Sequence, residues 1–268
     1  MTLLQLTVLA LVQGITEFLP ISSSGHLVLV PIVLDWPDQG QVLDVAVHVG
    51  TLGAVLLYFW RDCFGMAGGL YRFAKGKKDP GAKLALLVVL GTIPVIAAGF
   101  ALNHYVPNGF RSLEVIGWTT LGFGLLLGLA DKVGMTVRRV EHLGIADAIL
   151  IGLAQMLALI PGTSRSGVTM TMARFLGMER VDAARFSMLL GIPAILGAGV
   201  LKGIEVFQTG EAALTTAVFT AAALAFVSAL VAIALMMVWL RSAGFGPFVV
   251  YRILLGCGLL AVAYGFIG

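Results

Sequence analysis

A polar, glycine-containing knot occurs twice in an otherwise oily chain: QGITEFLPISSSGH from Gln13 to His26, and QMLALIPGTSRSG from Gln155 to Gly167. In each copy a Gln precedes a Gly by twelve positions, a Pro lies between them, and hydroxyl residues lead into the Gly. Hydroxyls, a carboxylate, an imidazole and a guanidinium are costly in hydrocarbon, so at membrane depth they mark a functional site. The duplication predicts a site built from two halves.

The oily setting follows from composition. Of 268 residues, 59% are hydrophobic and 12% charged, against roughly a quarter charged in soluble domains. A soluble enzyme is excluded, and the chain reads as an all-α, polytopic membrane protein. Six apolar stretches, at about 42–60, 84–104, 113–130, 186–206, 214–240 and 248–267, are long enough to cross a bilayer as helices. The knots fall outside this set. Their apolar arms, Leu3 to Val12 with Leu27 to Leu34 and Ile145 to Ala154 with Val168 to Leu176, are too short to span singly, which predicts two re-entrant helical hairpins.

Charge supplies the orientation. Alternating sides from the first span groups 61–83, 131–145, 178–185 and 241–247 on one face with twelve Lys and Arg, whereas 31–41, 105–112 and 207–213 hold only Arg111. That asymmetry makes the first face cytoplasmic. Each half is then one hairpin followed by three spans, and an odd number of crossings turns the second half over. The chain is expected to be one membrane domain, 1–268, made of inverted repeats at about 1–130 and 145–268, with the knot tips meeting inside the bilayer. HVGTLGAV from His48 echoes LLGIPAIL from Leu189, Gly50 matching Gly191. The first twelve residues carry no Lys or Arg, and Gln13 and Glu17 break the apolar run, so a cleavable signal peptide is not expected. Cys63 and Cys257 lack metal-type spacing and read as packing residues.

Within the first knot, Gln13 and Glu17 are four apart and share a helix face. Pro20 ends that helix, and Ser22, Ser23, Ser24 and Gly25 present hydroxyls and backbone amides at the start of the next, a ready phosphate site. His26 follows directly. Glu17, Ser23 and His26 thus combine an acid, a potential nucleophile and a potential acid–base group. In the second knot Thr163, Ser164, Ser166 and Gly167 surround Arg165, whose planar fork suits phosphate oxygens. With the tips apposed, Arg165 faces Glu17, Ser23 and His26. The basic run from Arg72 to Lys83 reads as topogenic and in contact with anionic lipid. His48 and His104 read as packing or interfacial residues, Arg174 as either a second anion contact or a snorkelling side chain, and Trp36, Trp60, Trp118 and Trp239 as interfacial anchors.

The strings QGITEFLPISSSGH and PGTSRSG resemble the two signature motifs of the undecaprenyl-diphosphate phosphatase family, bacterial enzymes linked to bacitracin resistance, and the similarity runs over the whole chain, including YRILLG at Tyr251 to Gly256. The resemblance implies a multi-pass inner-membrane enzyme that hydrolyses undecaprenyl diphosphate to the monophosphate, recycling the lipid carrier of cell-wall synthesis at a site open to the periplasm. It also implies a divalent cation, Mg²⁺ or Ca²⁺. By position, Glu17 matches the family's motif acid and would be its metal contact, Ser23 and His26 match its nucleophile and acid–base pair, and Arg165 matches its phosphate-binding Arg. Gln13, Ser22, Ser24, Gly25, Thr163, Ser164, Ser166 and Gly167 would line the substrate. Many members carry Glu where this chain has Gln13, so the cation is expected to rely on substrate oxygens and water. Attack by Ser23, by His26 or directly by water are three readings of the same residues. The expected partners are the lipid substrate and membrane lipids, with no nucleic acid; a homodimer is compatible. A transporter or flippase for a phosphate-bearing lipid or anion is the second functional reading, since paired broken hairpins are also a carrier architecture. A translocator needs only binding groups, which leaves Glu17, Ser23 and His26 together unexplained.

Overall fold

The computed structural model describes residues 2–34, 36, 40–105, 112–208 and 216–266, and their regular elements are all helices. Arg111, the single cation expected on the opposite face, lies outside the described residues. In chain order the helices are α1 (Leu3–Phe18), α2 (Ser23–Leu34), α3 (Gln41–Tyr58), α4 (Trp60–Ala74), α5 (Pro80–Tyr105), α6 (Leu113–Val133), α7 (Ile145–Met156), α8 (Arg165–Phe175), α9 (Arg180–Gln208), α10 (Thr216–Trp239) and α11 (Gly246–Ala263). Short 3-10 turns at Val140–His142 and Leu157–Leu159 complete the set.

The boundaries have local causes. Thr2 caps α1 reciprocally with Gln5, Ser112 accepts from the Val115 amide to open α6, and a Pro stands near the start of α5 and of α11, where its missing N–H is harmless. Five helices are long and apolar enough to cross a membrane: α5, α6, α9, α10 and α11. The sixth expected span, 42–60, differs in a specific way. Helix α3 stops at Tyr58 and the chain turns by 78° into α4, so the basic connection expected over 61–83 contains a 15-residue helix. The protein is an integral, polytopic α-helical membrane protein with five to six such spans among its described residues.

Small residues let the helices approach. Helix α1 lies on α10 where a Cβ at Gly14 would come within 2.7 Å of the Ala225 carbonyl oxygen, and α7 lies on α5 where Gly152 meets the Gly91 carbonyl. Close backbone contact of this kind is how helices associate where lipid removes the hydrophobic drive. The main apolar core gathers Phe18, Val55, Leu87, Ile151, Met170, Phe186, Leu190 and Ile233, all buried, from α1, α3, α5, α7, α8, α9 and α10.

The four connections that the charge count grouped are tied together at one end of the bundle. Arg185 pairs with Asp62 and, at 3.4 Å, with Glu141. The Lys83 ammonium donates to the Glu141 carbonyl at 2.9 Å. Arg180 reaches Asp131 at 2.7 Å, and the Phe245 amide donates to the same carboxylate at 3.0 Å. Arg138–Asp147 at 2.6 Å and Arg139–Glu179 at 3.1 Å extend the lattice. Arg174 belongs to it too: fully buried, it donates to the carbonyls of Met135, Asp131, Gly134 and Met178 and pairs with Asp131 at 3.3 Å. It is a structural clamp, neither an anion contact nor a snorkelling side chain.

Candidate active site

Both knots are helix–turn–helix breaks with one local geometry. The α1 helix ends at Phe18, the chain runs through Leu19–Ile21, and Ser22 takes a left-handed φ of 75° before α2 begins. In the second knot α7 ends at Met156, a 3-10 turn and Pro161–Thr163 follow, and Ser164 has φ of 70° before α8 begins. A non-glycine residue at positive φ costs about 1–3 kcal/mol and persists only where its surroundings impose it. The imposing contacts match in the two copies. Ser22 Oγ accepts from the Gly25 amide at 3.3 Å and Ser164 Oγ from the Gly167 amide at 3.1 Å, with the hydroxyl pairs Ser22–Ser24 at 3.3 Å and Ser164–Ser166 at 3.2 Å. Ser22 and Ser164 are thus the caps of α2 and α8.

The copies are then fastened to each other. Ser166 Oγ donates to the Leu19 carbonyl of the first knot at 2.8 Å. The buried Arg252 of α11 donates from Nη1 to the Pro20 carbonyl at 3.2 Å and from Nη2 to the Gly162 and Thr163 carbonyls, each at 3.0 Å. Its Nε and Nη2 also hold the Thr120 and Thr119 carbonyls of α6, and the Thr119 hydroxyl donates to the Pro161 carbonyl at 2.6 Å.

Glu17 is the centre of this junction. Its Oε2 accepts from Ser23 Oγ at 2.7 Å and from Gln13 Nε2 at 3.0 Å, while Oε1 accepts from Arg165 Nη2 at 3.4 Å. The pair is shielded, with side chains 7% and 15% exposed for Glu17 and Arg165, so its attraction is far less screened than at a surface. Gly191 of α9 leaves the space that the Arg165 guanidinium fills, since a Cβ there would overlap it, and the Ser187 carbonyl accepts from Arg165 Nη1 at 3.3 Å. His48 of α3 brings Nε2 to 4.0 Å from Glu17 Oε2.

His26 stands to one side. Its Nδ1 is 2.6 Å from the Ser22 carbonyl and its Nε2 is 2.5 Å from the Tyr251 hydroxyl, the two rings stacking with 8° between their planes. A carbonyl can only accept, so Nδ1 carries a proton, and in the neutral ring Nε2 accepts from Tyr251. Ser24 is exposed, while Gly25, Thr163, Ser164, Ser166 and Gly167 are buried. The structure therefore brings Gln13, Glu17, Ser23 and Arg165 together, sets His26 on Tyr251, and uses Ser22, Ser164 and Ser166 within the turns. Among the described residues, the buried side-chain oxygens without a partner are Gln13 Oε1, Gln155 Oε1 and Thr163 Oγ1, all in the two knots. Unpaired polar groups at depth are costly, and these three oxygens find no partner among the described residues.

A family model described as bacitracin resistance protein BacA matches residues 6–258. The chain belongs to that family. It is 60% identical to undecaprenyl-diphosphatase 1 of Rhodospirillum rubrum over 271 residues, 98% of this chain and 96% of the relative. Identity to the undecaprenyl-diphosphatase of Ruegeria pomeroyi is 53%, over 98% of this chain and 100% of the relative, and to that of Hahella chejuensis 50%, over 98% and 99%.

Sequence reasoning had marked only some of what builds this BacA-family site. Tyr251, Arg252, His48 and Gly191 had no site role assigned, although Arg252 was visible as a cation in an apolar stretch and Gly191 as half of a repeat echo. A divalent cation can also be tested against the donors. Among the described residues no three His, Cys, Asp or Glu side chains cluster as a metal cage. Glu17 is the carboxylate of the junction, and Gln13 Oε1 beside it is buried and unpartnered. These two oxygens suit a hard cation whose remaining ligands are phosphate oxygens and water.

Proposed function

We propose that this BacA-family chain is an inner-membrane phosphatase that hydrolyses undecaprenyl diphosphate to undecaprenyl phosphate and inorganic phosphate, recycling the lipid carrier of peptidoglycan synthesis and conferring bacitracin resistance. The names of its relatives support the substrate. The observation that carries the chemistry is the Ser23 hydroxyl already donating to Glu17 at 2.7 Å, with Arg165 on the other carboxylate oxygen. A nucleophile in hydrogen-bond contact with its base is the arrangement covalent catalysis requires.

The diphosphate docks at the junction of the knots, its terminal phosphoryl against Arg165 and the N-terminus of α2. Ser23 Oγ attacks the terminal phosphorus as its proton passes to Glu17 Oε2. The bond from that phosphorus to the bridging oxygen breaks, and undecaprenyl phosphate leaves. Water then attacks the phosphoserine, one proton returns to Ser23 Oγ, and inorganic phosphate is released. His26, through Nε2 and the Tyr251 hydroxyl, moves protons at the solvent side of the site. Its Nε2 lone pair is taken by Tyr251, which favours Ser23 over His26 as nucleophile. Gln13 and Glu17 would hold the divalent cation, which when bound supplies positive charge to the phosphate oxygens.

The matching geometry of Ser22 and Ser164 and the pairing of α1 with α10 and of α7 with α5 support an inverted repeat of two re-entrant hairpins. With the ion-paired end cytoplasmic by its cations, the site opens toward the periplasm. For the prenyl tail, an apolar cavity of about 790 Å³ begins at Ile15 and Leu19 and runs between α10 and α11 past Ala232, Leu235 and Phe248.

The test is phosphate release from undecaprenyl diphosphate by the full chain purified in detergent. Wild type is expected to be active, Ser23→Ala and Glu17→Gln to lose roughly 10²–10⁴-fold, and rapid quench with label in the terminal phosphate to leave acid-stable phosphoserine. An inactive wild type would refute the assignment, and acid-labile label would transfer the nucleophile's role to His26.

A further inference from the structure

The second large cavity has nothing to do with the knots. It lies at the ion-paired end of the bundle, between α4 and the first turns of α5, with a volume of about 920 Å³. Helix α4 leaves α3 at 78° and crosses α5 in backbone contact, Gly69 against Ala82. Its outer residues Phe64, Leu70, Tyr71 and Phe73 are 50–72% exposed, and Arg61 lies 5.3 Å over the Trp60 ring. A helix with exposed aromatics and cations, turned out of the spanning direction, has the character of one lying in the headgroup region of a leaflet.

Ion pairing decides the charge of the cavity. Its lining acids are ion-paired: Asp62 and Glu141 share Arg185, which also lies 3.9 Å from Asp182, and Asp79 pairs with Arg72 at 2.6 Å. Lys75, nearby in the same basic run, is engaged by the Tyr71 hydroxyl at 2.5 Å. Arg61 and Lys78 stand on the cavity wall with no carboxylate partner among the described residues, and Lys83 has only a carbonyl. Below these cations the wall is Met66, Leu70, Leu84 and Leu87. The cavity thus joins an apolar interior to a rim where the cations Arg61, Arg72, Lys78, Lys83 and Arg185 outnumber the acids Asp62, Asp79, Glu141 and Asp182, and where Arg61 and Lys78 are left to face a ligand. We propose that it binds an anionic phospholipid, headgroup phosphate on Arg61, Lys78 and Lys83 and acyl chains along α4 and α5. A zwitterionic lipid carries its own cation and loses the attraction; a soluble anion fills none of the apolar part. Each cation near an anionic lipid surface contributes about 1 kcal/mol, so the rim selects the lipid class and the apolar wall retains it.

The experiment titrates delipidated full chain in detergent with phosphatidylglycerol or phosphatidylcholine and follows the unfolding temperature. Phosphatidylglycerol is expected to raise it saturably, and phosphatidylcholine to leave it unchanged. Arg61→Gln with Lys78→Gln should weaken the apparent affinity by on the order of tenfold, without altering the lipid-free unfolding temperature. Arg241→Gln, an exposed cation of the same face outside the cavity, should change nothing. At Gly65 a Cβ would meet no atom within 4 Å, so Gly65→Phe can enter the cavity and should abolish the rise with all cations in place. Equal stabilisation by phosphatidylcholine, or an undiminished rise in both the double variant and Gly65→Phe, would overturn the proposal.

Discussion

At the scale of single residues, two arginines at the knots, Arg252 fully buried and Arg165 partly so, do opposite work. Arg165 faces a carboxylate and has donors to offer a phosphate; Arg252 has no carboxylate partner among the described residues and spends its donors on five carbonyls, from Pro20, Thr119, Thr120, Gly162 and Thr163. Their substitutions should therefore separate. Arg165→Ala should lose most phosphate release, with a loss of stability limited by the Ser23 and Gln13 donors that remain on Glu17. Arg252→Met removes the donor from the Pro20 and Thr163 carbonyls, at about 1–3 kcal/mol for each that stays buried and unpaired, so it should lower the unfolding temperature more than Arg165→Ala, and a Lys in its place should recover little because one ammonium cannot span both turns. Tyr251→Phe is the subtler case. Removing the hydroxyl frees His26 Nε2, so turnover should fall by on the order of tenfold, less than loss of a positioned acid–base group, with a displaced pH profile and an unchanged KM. The knots themselves were legible because their chemistry is local: Glu17 and Ser23 are six residues apart in the chain and meet at 2.7 Å. Tyr251 meets His26 across 225 positions, and no spacing rule reaches that far.

Elements were legible in proportion to how purely hydropathy dictates them. The five long helices were read from length and apolarity, whereas α4 was hidden. Past Trp60 it falls within the connection expected over 61–83, and the break at Phe59 and the backbone contact of Gly69 with Ala82 show it as a helix lying across α5. The helix breaks at the two knots are legible from Pro20 and Pro161, but not the positive φ at Ser22 and Ser164, because serine is an unusual choice there. Helix α10 carries a further consequence. Its Ala232 lines the apolar cavity that Leu19 also borders, and if that cavity takes the prenyl tail as proposed, a small residue on its wall sets the room for the chain. Ala232→Trp should raise KM for undecaprenyl diphosphate severalfold while leaving that for a short prenyl diphosphate unchanged; a common rise in both would place the tail elsewhere.

On the scale of the whole molecule, the distribution of cations and the duplication of the knots constrain each other. Four connections carrying twelve of the seventeen Lys and Arg are joined by Asp62, Asp131, Glu141 and Arg185 at one end of the bundle, so they share a face whichever way the protein is inserted. In the proposed topology, two hairpins that do not cross, separated by crossings at α3, α5 and α6, enter from opposite faces, so that their tips meet within the bilayer. Ser166 on Leu19 and Arg252 on Pro20 and Gly162 are that meeting. The positive-inside bias gives the face its identity, and a labelling experiment can check it on a chain with Cys63 and Cys257 replaced by Ser. A cysteine at Arg241, on the ion-paired end, should react with an impermeant maleimide only after the membrane is opened. A cysteine at Ser24, exposed beside His26, should react from the periplasmic side in intact cells, and undecaprenyl diphosphate should protect it. Protection of Ser24 from the cytoplasmic side alone would keep the two-part site but reverse its opening, and with it the compartment into which phosphate is released.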